Sequence, residues 1–153
     1  SALDAELDVI VCLSTRRADD DIARSMSPVP VRVLRCTRAE EGMGGTLAEG
    51  ISACIGYPGA FVALGDMPFV NSRTYRHLAL QHAPGRIVIP EYRRRRGHPV
   101  LFDAAFFREL AQLSGDRGAA LLLRRHAASC LRSAVRDPGI HQDVDRPGDL
   151  ADN

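Results

Sequence analysis

Asp66 stands where an apolar run, Phe61-Val62-Ala63-Leu64, gives way to Gly65-Asp66-Met67-Pro68. A strand that ends in an acid and a proline-fixed turn displays the carboxylate at the carboxyl edge of a parallel sheet, where open α/β proteins bind their ligands. There it can hold Mg²⁺, leaving the ion's other positions to water and phosphate oxygens. It serves equally well as an Asx turn that starts a loop. Two more acids, Asp143 and Asp145, alternate on a short extended segment and so point to one side. Either could share an ion with Asp66 if that segment returns to the same edge. A solvated turn is the competing reading, and sequence alone favours it.

Three other segments have residue types suited to binding. Gly42-Met43-Gly44-Gly45-Thr46-Leu47 is a glycine-rich turn running into a helix, where backbone N–H groups can approach an anionic or carbonyl group. It matches neither a Walker A loop nor a GxGxxG fingerprint, and on these grounds a plain strand-to-helix connection is the favoured reading. Gly97-His98-Pro99 sets a histidine between two backbone punctuators, which suits a ligand wall and a structural turn alike. Arg93 to Arg96 could clamp phosphates, although a run of like charge more often forms a solvated loop.

The elements that must position these residues follow from hydrophobic pattern. Asp8 to Leu13, Val29 to Leu34, Ala60 to Leu64, Arg86 to Ile89 and Leu131 to Val135 read as strands. Between them, helices are predicted over Thr46 to Ile55 with Thr46 as cap, from Asn71 as cap to about His82, over Asp103 to Leu113 and over Asp116 to Ala128. Alternating strands and helices indicate an α/β fold with a mostly parallel sheet covered on both sides. Pro147 is placed to open a terminal helix.

At 153 residues the chain has the length of a single domain, 1–153, and 45% apolar residues can fill its core. A net charge of +1 names no nucleic-acid partner. No run approaches the length of a membrane helix, and Ser1 to Glu6 lacks the features of a signal peptide, so a cytoplasmic protein is expected. All 20 basic residues are arginine, so no step can use a lysine. Cys12, Cys36, Cys54 and Cys130 lack metal-site spacing and are expected to pack as reduced thiols.

In order along the chain, Gly42 to Leu47, Leu64 to Pro68, Gly97 to Val100, Gly115 to Ala119 and Asp143 to Leu150 resemble the MobA-like nucleotidyltransferases, with molybdenum cofactor cytidylyltransferase the nearest branch. The resemblance implies a Rossmann-like, three-layer α/β/α domain. Its reaction joins a nucleoside triphosphate to a phosphorylated acceptor, releases pyrophosphate and uses Mg²⁺ as cofactor. Asp66 corresponds to the metal-binding acid, with Asp143 or Asp145 as a second metal contact. Gly44, Gly45, Thr46, Leu47 and Gly65 fall on the nucleotide side, and His98, Pro99 and Asp116 on the acceptor side.

The acceptor so implied is a molybdopterin-type cofactor, with a molybdoenzyme or chaperone as partner. The Gly42 to Leu47 turn differs from that of the related guanylyltransferases, which favours CTP over GTP. The family's opening strand and its phosphate-binding loop, LAAGxSxRMGxxK, have no counterpart in these 153 residues. The chain is therefore expected to be a fragment, or one partner of a split or strand-swapped assembly, with two strands left unpaired. The alternatives are a non-catalytic relative that delivers nucleotide or cofactor to a partner enzyme, and nucleotidyl transfer to another phosphorylated acceptor.

Overall fold

The structure is a computed structural model, and it describes residues 2–116 and 118–144. Its first unit is β1 (Ile10–Ser14), α1 (Ala18–Ser25) and β2 (Arg32–Cys36). The two strands are parallel, with Ile10 opposite Arg32 and Ser14 opposite Cys36. Asp19, Asp20 and Asp21 place negative charge in the first turn of α1, and Arg24 places positive charge in its last, as the helix dipole favours. The Asp19 carboxylate also accepts hydrogen bonds from the Ser14 N–H (2.8 Å) and hydroxyl (2.6 Å), fixing the end of β1 to the start of the helix.

α2 (Met43–Ser52) is capped by Gly42, whose φ of 95° suits only glycine well, so its cap lies four residues before the expected Thr46 cap. β3 (Gly59–Val62) follows, and then α3 (Ser72–Ala79), whose Asn71 cap accepts the Arg73 N–H at 2.9 Å as its sequence predicts. β4 (Ile87–Tyr92) turns through Arg93 and Arg94 into β5 (Arg95–Arg96), and β6 (Val100–Asp103) continues the return. α4 (Phe107–Leu110), α5 (Ala120–Arg125) and β7 (Cys130–Ala134) complete the elements.

The expectation of a mostly parallel sheet needs correction. β6 lies between β3 and β4 and is antiparallel to both, β5 is antiparallel to β4, and only β7 joins β4 in parallel. The cause is local, because a two-residue connection after Tyr92 reverses the chain and enforces antiparallel pairing. Sequence pattern missed β6 because its apolar run is short and ends in Asp103. That carboxylate caps the next turn by accepting the Ala105 N–H at 3.1 Å, and the predicted helix from Asp103 shrinks to a 3-10 turn followed by α4.

Alternation along β4 sorts the core into layers. Ile87 and Ile89 join Val100, Phe102, Phe106, Leu110, Leu122 and Ile51 beneath α2, α4 and α5. Val88 and Leu101 pack with Leu78 of α3 on the opposite face. Among the described residues β1 pairs with β2 alone and β3 with β6 alone, so the strands form a two-stranded and a five-stranded sheet. α2 packs on both: Gly50 lies against Cys12 of β1, while Ile51 enters the core of the larger sheet. No helix among the described residues is long and apolar enough to cross a membrane.

Candidate active site

The turn after β3 exposes the Asp66 side chain, and its backbone is pinned by the segment that carries Asp143. The Val144 N–H donates to the Asp66 carbonyl at 2.7 Å, so Asp143, also exposed, comes to the same turn. Asp145 lies outside the described residues, as does the segment with Pro147. His98 comes to the end of the same strand, its Nδ1 3.4 Å from the Val62 carbonyl. The break between β5 and β6 aims it there: the Gly97 N–H donates to Pro90 (3.0 Å) and the His98 N–H to Ile140 (3.2 Å). A β-carbon at Gly97 would collide with the Ile140 carbonyl, so glycine is required for this approach. Pro99 is buried.

One strap of chain, residues 137–144, therefore meets both the Asp66 turn and His98. Asp137 anchors it. This buried carboxylate accepts the Asn71 N–H (2.9 Å), the Thr74 hydroxyl (2.6 Å) and the Gly139 N–H (2.9 Å), tying the strap to the start of α3. Gly139 passes so close to the Phe69 carbonyl that any side chain there would collide. Sequence reasoning missed Asp137, although Asp-Pro-Gly at 137–139 is a turn signal that could have marked it.

The glycine turn has a different surrounding from the one its composition suggests. Gly44 is buried, its N–H donates to the Gly115 carbonyl at 2.8 Å, and a β-carbon there would lie 2.7 Å from the Ser114 carbonyl carbon. Gly45 is buried against the Arg38 carbonyl, and Leu47 packs on the core. The Gly44 N–H is thus already engaged. Thr46 is half-buried, while Gly65 faces open space. Asp116 is exposed, with Oδ1 where a Gly42 side chain would sit, so it belongs with the glycine turn at the start of α2.

The cysteines are all free. Burial raises the thiol pKa of Cys12, Cys54 and Cys130 above the ordinary value, and that of Cys36 to about 12. Thiols held protonated in this way are poor nucleophiles and poor ligands. Among the described residues no group of three or more His, Cys, Asp or Glu side chains is placed to hold a metal ion.

The MobA-like NTP transferase domain family matches residues 2–130. The chain belongs to that family. The fold of this MobA-like domain also occurs in solved structures. Rv0371c from Mycobacterium tuberculosis H37Rv is 26% identical with a TM-score of 0.79, covering 98% of this chain and 79% of its own. Its complex with manganese aligns at 24% identity and a TM-score of 0.79, covering 98% of this chain and 82% of its own. A nucleotidyl transferase from Methanothermobacter thermautotroptrophicus is 21% identical with a TM-score of 0.78, over 98% of this chain and 73% of that one. No match was found among curated proteins. The MobA-like domain is thus a mixed α/β nucleotidyltransferase fold, and its family implies a nucleoside triphosphate substrate.

Proposed function

We propose that this MobA-like domain transfers a nucleotidyl group, CMP from CTP, to a molybdopterin-type cofactor with release of pyrophosphate, using Mg²⁺. The observation that carries the reading is the Val144 to Asp66 hydrogen bond, which brings Asp143 to the exposed acid at the sheet edge. Two exposed carboxylates are hard oxygen donors and fit an ion that binds through one or two acids and takes its other ligands from water and phosphate. Asp66 and Asp143 would hold it, and the family resemblance adds Asp145 as the alternative second acid. When bound, the ion supplies charge stabilisation at the α-phosphorus and the departing pyrophosphate.

The remaining chemistry is positioning. The acceptor's own phosphate oxygen attacks, so no side chain need act as nucleophile. His98 and the buried Pro99 form the acceptor wall beside β3, and Gly65 leaves room for the nucleotide next to Asp66. Gly44, Gly45, Thr46 and Leu47 contribute by fixing the loop that carries Asp116 rather than through free N–H groups. The protein is read as a cytoplasmic enzyme, 1–153 as one domain, with a molybdoenzyme or chaperone as recipient of the product.

A non-catalytic relative that delivers nucleotide or cofactor is the alternative. Titration of CTP and GTP with and without Mg²⁺, followed by mass analysis of products formed with both nucleotides in competition, tests the choice. Metal-dependent CTP binding lost in Asp66→Ala and a CMP-bearing product are expected for the enzyme. Metal-independent binding of pterin alone would replace it with the carrier.

A further inference from the structure

The hairpin of β4 and β5 carries four consecutive arginines, Arg93 and Arg94 in its turn and Arg95 and Arg96 in β5, all exposed. A two-residue hairpin turn of this kind needs positive φ at both central positions, which is why Asn-Gly dominates there. Here both are arginine, Arg93 with φ 49° and Arg94 with φ 64°. A turn that had only to reverse the chain would be better served by smaller residues, so backbone strain is being tolerated where two guanidinium groups sit at the tip.

The arm is braced toward the Asp66 edge. The Arg93 guanidinium lies 5.2 Å from the centre of the Tyr92 ring, and Tyr92 packs against His141 with ring centres 6.1 Å apart. His141 Nε2 donates to the Arg95 carbonyl at 3.1 Å. His141 belongs to the strap that reaches Asp66 through Val144, so one stretch of backbone supports both the arm and the acid.

Among the described residues its charge is also left without a carboxylate partner. Arg24, Arg35, Arg38, Arg125 and Arg132 each meet a carboxylate. Among the described residues no carboxylate forms an ion pair with Arg93, Arg94, Arg95 or Arg96. Glu91, opposite Arg96 in the strand register, lies 3.4 Å from Arg132 instead. Planar guanidinium forks match phosphate oxygens in pairs, and this chain has no lysine to do that work.

We propose that the Arg93 to Arg96 hairpin is a phosphate-binding arm of the active site, taking a multiply charged phosphate group from one of its substrates. The inference rests on the nucleotidyl-transfer reading of the Asp66 edge and adds to it a binding group outside the acids. The phosphate has two sources, the triphosphate that leaves as pyrophosphate and the phosphomonoester of the acceptor.

Calorimetric titration of the purified chain with inorganic pyrophosphate, in low salt and EDTA, tests the arm without any metal. Wild type should bind, and raising the salt should weaken binding. The double substitution R93N/R94G should weaken pyrophosphate binding by at least about tenfold, the loss expected for charge-assisted hydrogen bonds. Because it installs Asn-Gly in the turn, its Tm should equal or exceed that of wild type. Arg94→Lys keeps the charge but loses the paired fork, so its affinity should fall between that of wild type and the double variant. Competition by phenyl phosphate would assign the arm to the acceptor's phosphate, and competition by CTP alone to the triphosphate.

Unchanged binding in the double variant, no binding by wild type, or RNA binding that pyrophosphate does not displace would each overturn the arm. Asp66→Ala should keep the metal-free pyrophosphate binding while losing metal-dependent CTP binding. The arm and the reading of the Asp66 edge can therefore fail separately.

Discussion

The Val144 N–H donates to the Asp66 carbonyl at 2.7 Å, joining two segments 78 residues apart at the carboxyl edge of β3. Asp143 is carried to that edge by its neighbour's backbone, leaving both carboxylates exposed. Asp66→Ala should therefore reduce pyrophosphate release by about 10²–10³, the scale of losing one transition-state electrostatic contact. The turn is exposed, so Tm should hardly change. A coupled pyrophosphate assay beside a thermal melt checks both expectations, and full activity in the variant would remove Asp66 from the chemistry.

Asp137 should act on the same edge from a distance. Its carboxylate satisfies the Asn71 and Gly139 N–H groups and the Thr74 hydroxyl, and Asp137→Ala leaves all three without that partner. Unmatched buried donors of this kind cost about 3 kcal/mol in total, which corresponds to a Tm lower by roughly 6–12 °C in a chain of this length. Because the strap also delivers Asp143, manganese affinity measured below the new Tm should fall while Asp66 is intact. Unchanged affinity would show that the strap holds its place without this anchor.

The contrast between Asp66 and the glycine turn shows what sequence could reveal. An apolar run ending in Gly-Asp-Met-Pro is a local pattern, and the exposure of Asp66 followed from it. The strand at Leu131 to Val135 and the Asn71 cap were legible for the same reason. The role of Gly44 was not, because its N–H partner is Gly115, 71 residues away, and glycine packed against backbone has the same composition as glycine around a ligand. β6 was hidden for a related reason: Gly97 and Pro99 read as loop punctuation, yet they interrupt one long hairpin whose direction only the Tyr92 to Arg95 pairing reveals.

Gly44 and Gly65 give opposite expectations for the same substitution. Gly44→Ala places a methyl group 2.7 Å from the Ser114 carbonyl and 2.8 Å from that of Gly115, both backbone atoms that yield poorly. It should destabilise the fold by about 1–3 kcal/mol. Gly65→Ala meets nothing within 4 Å and should leave stability unchanged, while raising KM for the nucleotide if that open space is occupied in the complex. Urea unfolding and a KM measurement on both variants separate packing from binding. A stable Gly44→Ala variant would return the turn to the list of ligand contacts.

Stability at low pH should depend on Asp103. Burial by itself pushes its carboxyl pKa up, but the Gly85 and Ala105 N–H groups and the His82 ring outweigh burial and hold it below the ordinary 3.8. The Gly85 bond is 2.8 Å and the His82 contact 3.0 Å. A depressed carboxylate stabilises the fold fully above its unfolded-state pKa, and that contribution is lost as pH falls through the lower folded-state pKa. The loss should therefore set in below about pH 4. Asp103→Asn cannot ionise, so at pH 6 it should be less stable than the parent by about 1–3 kcal/mol, the worth of hydrogen bonds to a charged acceptor. By pH 3 the difference should narrow, because the parent is then losing the same charge. Urea titrations of both proteins at the two pH values measure the difference directly. A gap that stays constant between them would mean that Asp103 stabilises the β6 end through its shape and not through its charge.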